Sequence, residues 1–418
     1  MRKMKDSGVE WIGEIPVDWK LSKIGSVYDE RNEKVSDKDF APLSVTKQGI
    51  VPQLETAAKT ENGDNRKLIR KDDFVINSRS DRRGSCGISE YEGSCSLINT
   101  VLKPQTNMCN RYYGFVFKSD GFADEYYRWG HGIVDDLWST KWIDMKSIYI
   151  PAPDITEQER IADYLNAKCS KIDEIIEKQQ SIIEKLKEYK LSIIIETVTK
   201  GLNPNVEMKD SGVEWIGQMP TSWDCTTVGM IATVVRGASP RPAGDPLYFN
   251  GNDVPWITVA EVTKGDGKYI DETETFLTFE GAKQSRIVEE GTLLLSNSGA
   301  TLGVPKITRI RGCINDGSVA FYNLSINQEF LLYLFKGRTF ELRKQMQGYG
   351  QPNLNTTIVK GIEVPLPTEL EQKAIVDFLD QKCTAIEKTI EDREKAIEKL
   401  QKYKKSLIYE VVTGKKEV

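Results

Sequence analysis

The chain has 418 residues, which at about 150 residues per domain is too long for one compact domain and predicts two or three. With 39% hydrophobic and 28% charged residues, its composition is that of an ordinary globular protein and excludes a disordered tail or a fibre. No apolar stretch approaches the roughly 20 residues that span a bilayer, and the first residues lack the apolar region of a signal peptide, so we expect a cytoplasmic protein.

The sequence carries few of the side chains that usually mark metal sites or catalysis. Its seven cysteines show no Cys-x-x-Cys spacing, and its single histidine, His131, more often fills a structural role than a catalytic one. Phosphate-binding loops, dinucleotide-binding glycine motifs and Asn-Pro-Pro-Tyr segments of amino-methyltransferases are missing from the sequence. We therefore expect no metal and no cofactor, and any associated catalysis to belong to another polypeptide.

Two pairs of segments repeat within the chain. MKDSGVEWIG begins at Met4 and again at Met208, and a Pro-x-Pro stretch followed by a charged helical pattern begins at Pro151 and again at Pro365. The residues between them, 20–150 and 224–364, share no comparable similarity. We interpret the chain as a nearly duplicated frame that holds two different inserts, in preference to a recent duplication with drift in its loops.

The inserts mix short strand patterns with helical ones. In the first insert the pattern predicts strands at 73–77, 96–102 and 147–150 and a helix at 115–129. In the second insert it predicts strands at 255–260, 292–296, 306–310 and 319–324 and a helix at 328–347. Each insert is therefore predicted to be a mixed α/β domain.

The repeated Pro-x-Pro segments predict two long helices. Asp154 and Thr368 stand at N-cap positions, with Glu157 and Glu371 three residues later, the spacing of a capping box. Apolar residues then recur at steps of three and four, as in a coiled coil. The first helix should run over residues 155–199, about 45 residues, which gives a rod of roughly 65 to 70 Å.

A helix of this length must cover its apolar stripe, and its own copy is the best partner in the chain. We favour intramolecular antiparallel pairing over homodimerisation, with pseudo-two-fold symmetry and the inserts near opposite ends. The predicted fold class is α/β (α+β): two mixed α/β domains joined by two long helices in an antiparallel coiled coil. The predicted domains are 1–150, 151–203, 204–364 and 365–418.

Polar loops in both inserts have the chemistry of nucleic-acid contacts. NSRSDRRGS at 77–85 holds three arginines and one acid, and RGASPRP at 236–242 is a basic loop stiffened by proline. SNSGATLG at 296–303 and GQPNLN at 350–355 supply Ser, Gly, Asn and Gln. Arginine forks pair with guanine or phosphate and amides pair with adenine, although each loop alone also fits an ordinary solvated turn.

The inserts are electrically neutral, which argues against a domain that grips DNA unaided. Residues 20–150 hold 20 basic and 19 acidic side chains, residues 224–364 hold 14 and 15, and the whole chain carries a formal charge of −5. Phosphate contacts supply much of the affinity of DNA-binding proteins. Either the chain does not bind DNA or a partner contributes the basic surface.

The paired arrangement resembles the specificity subunit of type I restriction-modification systems. The resemblance depends on KDSGVEWIG opening both halves and on PxPxxxEQ before a long helix closing both, with Gln158 and Gln372 after the two glutamates. It implies two target recognition domains that each read half of a split, double-stranded DNA site. It also implies helices that act as a ruler and dock two methyltransferase subunits, which bind S-adenosylmethionine, and a restriction/translocase subunit that joins them. The chain itself would be non-catalytic and would not contact a membrane.

DNA-contacting residues are poorly marked by motif in this family, so the candidates are chosen by loop chemistry. They are Lys47, Arg79, Arg82, Arg83, Ser85, Arg236, Ser239, Arg241, Ser298, Thr301, Lys306, Tyr349, Gln351 and Asn353. Two other hypotheses compete with DNA recognition. One is a two-headed coiled-coil scaffold that binds proteins, and the other is an enzyme that uses His131 or paired carboxylates of one insert.

Overall fold

The structure, a computed structural model, describes residues 2–53, 63–132, 138–299, 301–345 and 354–418. The chain forms two compact units, one of Met1–Gln180 with Glu394–Val418 and one of Ser181–Arg393. Each unit contains one insert and a segment of both long helices. Within the described ranges, no helix is long and apolar enough to cross a membrane.

The first half of the chain alternates short strands with a few helices. The strands are β1 Met4–Asp6, β2 Glu14–Pro16, β3 Lys20–Lys23, β4 Tyr28–Glu30, β5 Lys34–Val35, β6 Leu43–Thr46, β7 Gly49–Pro52, β8 Arg66–Ile69, β9 Phe74–Asn77, β10 Cys86–Ile88, β11 Gly93–Cys95, β12 Asn99–Pro104 and β13 Tyr149–Ala152. The helices are α1 Asn110–Lys118, α2 Asp120–Arg128, α3 Trp142–Met145 and the long α4 Ile155–Lys200.

The second half repeats this alternation with more helical turns. Its strands are β14 Met208–Asp210, β15 Gln218–Pro220, β16 Asp224–Thr227, β17 Thr233–Arg236, β18 Phe249–Ile257, β19 Tyr269–Ile270, β20 Phe276–Leu277, β21 Arg286–Val288, β22 Leu293–Ser296, β23 Pro305–Thr308, β24 Gly312–Ile314, β25 Ser318–Tyr322 and β26 Glu363–Leu366. Its helices are α5 Val228–Ile231, α6 Val259–Thr263, α7 Phe279–Lys283, α8 Gln328–Gln345, α9 Thr356–Lys360 and the long α10 Glu369–Val412.

The two inserts share a central sheet order although their sequences differ. In the first insert the order is β10-β9-β12-β4, and in the second it is β23-β22-β25-β17, with β19 added beside β23. Neighbours within each set of four are antiparallel. Backbone groups form these ladders, so the same order survives wherever enough apolar side chains cover the sheet. The similarity of the inserts therefore lies in topology.

Apolar strands and helices build a separate core in each unit. In the first unit, Phe74 of β9 and Phe117 of α1 pack with ring centroids 4.6 Å apart. In the second, Phe321 of β25 and Phe335 of α8 pack at 5.3 Å. All four rings are buried, so each central sheet is covered by the helix that follows it in the chain.

The strand predicted at 96–102 begins only at Asn99, and two other predicted elements are interrupted by a local cap. The helix predicted at 115–129 is two helices, α1 and α2, because the Ser119 hydroxyl accepts a hydrogen bond from the Phe122 amide at 3.3 Å and starts a new helix. The strand predicted at 255–260 ends at Ile257, where Thr258 caps α6 through a capping box with Glu261. In both places, a local hydroxyl cap overrides the apolar pattern.

The long helices begin at the predicted places, with different roles for their glutamates. The Asp154 carboxylate accepts from the Glu157 amide at 2.9 Å, as an N-cap does. Glu157 does not return a bond to residue 154, because its carboxylate accepts from Arg2 and Arg160 as well as from the Trp19 indole at 2.8 Å. The predicted capping box is therefore only half formed in the first copy.

In the second copy the capping box is complete. The Thr368 amide donates to the Glu371 carboxylate at 2.9 Å, and the Glu371 amide donates to the Thr368 hydroxyl at 3.4 Å. The Glu371 carboxylate also accepts from the Trp223 indole at 3.1 Å. Hydrogen bonds from Thr368 and Trp223 lower the pKa of Glu371 against the effect of its burial. The link from glutamate to tryptophan is thus common to both copies of the frame.

The glutamine that follows each of these glutamates fastens the insert to the helix start. Gln158 accepts from the Cys109 amide at 2.9 Å and donates to the carbonyl five residues before it at 2.8 Å. Gln372 accepts from the Asn327 amide at 2.7 Å and donates to the carbonyl five residues before it at 2.8 Å. Both glutamines are buried. The repeated motif therefore performs the same mechanical task in both units.

Within each unit, the two long helices pair as predicted. In the first unit the beginning of α4 lies with the end of α10, where Lys404 contacts the Asp173 carboxylate at 2.6 Å. In the second unit the end of α4 lies with the beginning of α10, where Lys190 contacts Glu387 at 2.6 Å. Each pairing is the one that an antiparallel arrangement requires. The intramolecular antiparallel coiled coil is confirmed, with helices of 46 and 44 residues.

Candidate nucleic-acid interface

In the first insert, three separated segments meet where β9 ends. The Ser78 amide donates to the Ile98 carbonyl at 3.2 Å, and the Thr140 amide donates to the Ser78 carbonyl at 3.0 Å. These backbone bonds bring together residues 78–85, 96–98 and 138–143. We call these three segments the first loop cluster. It contains much of the basic loop that the sequence singled out.

The second insert forms an equivalent cluster where β22 ends. The Asn297 amide donates to the Gly317 carbonyl at 2.9 Å, and the Leu354 amide donates to the Asn297 carbonyl at 2.7 Å. The second loop cluster consists of residues 236–242, 297–303 and 314–318, excluding Ala300, which the structure does not describe. Both clusters are thus anchored through matching backbone positions, and their side chains determine what each one can bind.

The first loop cluster lines a groove with a volume of about 750 Å³. Its basic lining residues are Lys67, Arg79 and Lys141, and its exposed apolar lining residues are Leu97, Ile98 and Ile143. One carboxylate, Glu30, also lines it. A groove of this composition can accept a polyanion while it contacts an apolar group.

The arginines predicted in the first insert point to different places. Arg79 is partly buried in the groove lining, and its amide donates to the Asn77 side chain at 3.1 Å. Arg82 is 66% exposed and lies 3.4 Å from Asp81. Arg83 forms an ion pair with an aspartate of α2. The predicted set is therefore one arginine at the groove, one toward solvent and one bound to the neighbouring helix.

The other two predicted residues of the first insert lie apart from this groove lining. Lys47 is exposed in the turn between β6 and β7. Ser85 is buried at 5% exposure, and its amide donates to the Arg82 carbonyl. Ser85 therefore closes the loop, while Lys47 offers a free-standing positive charge on a hairpin tip.

In the second insert, the predicted basic loop converges on one acid that sequence reasoning missed. The Ser239 hydroxyl donates to the Asp316 carboxylate at 2.6 Å, and the Arg241 guanidinium lies 3.7 Å from it. The Arg236 guanidinium donates to the Asp316 backbone carbonyl at 2.8 Å. Asp316 thus orients all three predicted residues of this loop while its own side chain stays 43% exposed.

Several amide and hydroxyl groups in the second loop cluster have no hydrogen-bond partner within the described structure. They are the Asn297 side-chain oxygen and nitrogen, the Asn315 side-chain oxygen and the Ser318 hydroxyl. Asn297 is fully buried, and an unsatisfied buried polar group costs about 1 to 3 kcal/mol. The cluster therefore contains hydrogen-bonding capacity that folding leaves unused.

The remaining predicted residues of the second insert differ in access to solvent. Thr301 is exposed and Ser298 half-buried in the loop after β22. Lys306 is buried at 3% exposure on β23, where its ammonium donates to the Lys264 carbonyl at 3.1 Å and burial lowers its pKa. Its ammonium is turned inward. Tyr349, Gln351 and Asn353 lie outside the described residues.

A chemical centre of another kind does not emerge from the described ranges. They contain no group of three or more His, Cys, Asp or Glu side chains that could hold a metal, and all their cysteines are free thiols. The imidazole of His131 is 77% exposed, with Asp144 at 3.6 Å.

The repeated frame contained a signal for the residues that sequence reasoning missed. Thr140 and Leu354 make the equivalent anchor bonds, and each stands eleven residues before its Pro-x-Pro segment. Counting back from Pro151 and Pro365 therefore locates the residue that makes this anchor bond in each insert. Asp316 and the equivalent segment 96–98 of the first insert had no such marker, because the pairing of strands brings them to the loop clusters.

Comparison with known proteins gives one consistent result. A family model described as the type I restriction modification DNA specificity domain matches residues 220–398. The chain is similar to the type I restriction enzyme MjaVIII specificity subunit of Methanocaldococcus jannaschii, at 27% identity over 96% of this chain and 93% of the relative. It is also similar to the putative MjaX specificity subunit of that organism, at 24% identity over 97% and 95% of the two chains.

Solved structures share the fold over nearly the whole chain. One, from work on complex assembly and conformational transition of the type I R-M system, matches with a TM-score of 0.74 at 16% identity, covering 95% of this chain and 98% of its own. The HsdS subunit from Thermoanaerobacter tengcongensis matches with a TM-score of 0.53 at 18% identity, covering 96% and 98%. The arrangement of two mixed α/β inserts and two long helices is therefore shared with them.

Proposed function

We propose that this chain, which belongs to the family of type I restriction-modification specificity subunits, reads a bipartite DNA target, with each insert reading one half. One observation carries the proposal. The two loop clusters are held by matching backbone bonds but present different side chains, within a frame that is nearly duplicated in sequence. Two independent readers of different base sequences need this combination of constant support and variable surface.

The proposed division of the chain follows the frame. Residues 1–150 and 204–364 would be the target recognition domains, and residues 151–203 and 365–418 the conserved helical segments. Arg79, Arg82 and Lys47 would serve the first half-site. Arg241, with Asp316 beside it, would serve the second half-site.

Neutral inserts imply that other subunits hold the phosphate backbone. With 20 basic against 19 acidic side chains in the first insert and 14 against 15 in the second, this chain supplies little of the nonspecific attraction. Two methyltransferase subunits would close around the duplex, bind S-adenosylmethionine and perform the chemistry, and a restriction/translocase subunit would join them. This chain would be the non-catalytic specificity subunit of a cytoplasmic complex, with no cofactor of its own.

Methylome sequencing of cells that express the chain with its methyltransferase partner tests the proposal. We expect a methylated motif of two short half-sites separated by an unread spacer, and mobility shifts in which the assembled complex prefers that duplex. A complex that binds all duplexes equally would contradict DNA recognition and would favour a protein-binding scaffold.

A further inference from the structure

The first loop cluster holds two consecutive apolar side chains in solvent. Leu97 and Ile98 are each 41% exposed, and both line the groove that Arg79 also lines. A single exposed leucine is ordinary on a protein surface, whereas adjacent exposed side chains at the edge of a candidate binding groove require a reason. A third apolar side chain, Ile143, is 64% exposed on the same groove.

The backbone keeps these side chains in place. The Ile98 carbonyl accepts from both the Ser78 amide, at 3.2 Å, and the Ser78 hydroxyl, at 2.6 Å. The Asn99 amide closes the turn by donating to the Ser96 carbonyl at 3.0 Å. The loop is therefore fixed at both ends, and a bound molecule would meet a preformed apolar surface.

The charges around this surface favour a polyanion as the occupant. The groove lining holds Lys67, Arg79 and Lys141 against one carboxylate, Glu30. Lys67 is buried and paired with Glu30 at 3.4 Å, so the positive charge that remains on the lining comes from Arg79 and Lys141. A protein partner would need a much larger apolar area than three side chains provide. In the DNA major groove, the apolar group within reach of a loop is the C5-methyl group of thymine, with phosphates on either side.

The second insert supports a role in specificity for this position. Asn99 pairs with Asn77 and Ser318 pairs with Ser296, so strand register makes Leu97 the counterpart of Asp316. An aspartate can accept a hydrogen bond from the cytosine amino group or orient an arginine, whereas a leucine can only contact an apolar group. The same backbone position thus carries opposite chemistry in the two inserts.

We propose that Leu97 and Ile98 contact the C5-methyl group of a thymine in the half-site read by the first insert. This inference rests on the proposed function and specifies its chemistry. The methyl group would lie against the two side chains, and the neighbouring cations would face the phosphates. The second insert, with Asp316 and Gly317 at the equivalent positions, would make no such contact there.

Deoxyuridine substitution tests the proposal because it removes only the methyl group. The complex with its methyltransferase partners is titrated with the cognate duplex, in which each thymine of both half-sites is replaced in turn. We expect about three- to fivefold weaker binding at one thymine of the first half-site, from roughly one buried methyl group. In a complex carrying both Leu97→Ala and Ile98→Ala, thymine and deoxyuridine duplexes should bind equally at that position.

A control variant and two distinguishable negative outcomes separate the methyl contact from DNA recognition as a whole. Tyr91→Ala removes a side chain of similar exposure, 43%, from the same insert outside the groove lining, and should retain the full thymine preference. A first half-site without thymine on either strand, or one indifferent to deoxyuridine, would overturn the methyl contact and leave sequence reading intact. Loss of all sequence preference in the wild-type complex would instead overturn the proposed function.

Discussion

The two inserts show which parts of a reading domain stay fixed and which vary. Their central strands follow the same order, and their loop clusters are tied by equivalent backbone bonds. At one equivalent position the first insert has Leu97 and the second has Asp316. Backbone bonds do not depend on side-chain identity, so a common scaffold can carry unlike surfaces. The comparison teaches that topology, and not sequence, is the property shared by the inserts.

The frame behaves in the opposite way, because it repeats many of its residues and the side-chain bonds that they make. Trp19 bonds to Glu157 as Trp223 bonds to Glu371. These are side-chain contacts, and a substitution at any of the four positions would break one. The frame makes the same side-chain contacts in both units and its sequence is nearly duplicated. The inserts present different surfaces and their sequences differ.

The largest effect on this comparison should come from the paired glutamines of the frame. Gln158→Leu and Gln372→Leu each strip a partner from a buried backbone amide, so each should lower the free energy of unfolding of its own unit by about 1 to 3 kcal/mol. Urea denaturation measures both. Gln401→Leu, at an exposed helix position, should change stability by less than about 0.5 kcal/mol. Clearly unequal losses in the free energy of unfolding for the two variants would show that the two glutamines do not stabilise their units in the same way.

A second test concerns the acid that distinguishes the second loop cluster. Asp316→Ala removes the group that orients Ser239 and Arg241, so discrimination at one base pair of the second half-site should fall by about 1 to 3 kcal/mol. Competition binding against single-base variants measures this. Asp271→Ala removes an equal charge from an exposed pair with Arg309 and should leave discrimination unchanged. An equal loss of base discrimination at the first half-site would contradict the proposal that the two inserts read DNA independently.

The smallest expected effect separates two neighbouring arginines. Arg82 is 66% exposed and is paired with its sequence neighbour Asp81 at 3.4 Å, so Arg82→Ala should weaken binding to all duplexes alike and reduce the salt slope by about one unit. Arg83 is already paired with Asp124 in an exposed position, so Arg83→Ala should change stability by about 0 to 1 kcal/mol and leave binding unaltered. Loss of specificity at one base in either variant would instead assign base reading to that arginine.

The frame and the long helices were largely predictable from the sequence. Pro-x-Pro followed by N-cap residues fixes where α4 and α10 begin, and the apolar repeat fixes their length. Buried strands were also marked locally, since Leu293–Ser296 lies within the predicted 292–296. These features are encoded by neighbouring residues, which is why a single sequence reveals them.

The binding surface was only partly predictable, because long-range backbone bonds assemble it. The basic loop around Arg241 was visible in the sequence, but its convergence on Asp316 depends on strands far apart in the chain. Leu97 and Ile98 look like part of a core strand in the sequence, and only the turn before β12 turns them outward. The chemistry of a side chain can be predicted from the sequence, whereas its contacts with distant segments of the chain cannot.

The most direct test of independent reading exchanges one insert. Residues 20–150 are replaced by the corresponding insert of another specificity subunit, and the methylated motif is determined by sequencing the DNA of cells that express the hybrid with its methyltransferase. We predict that one half of the motif changes to that of the donor while the other half stays as it was. A motif in which both halves change, or neither does, would contradict the account.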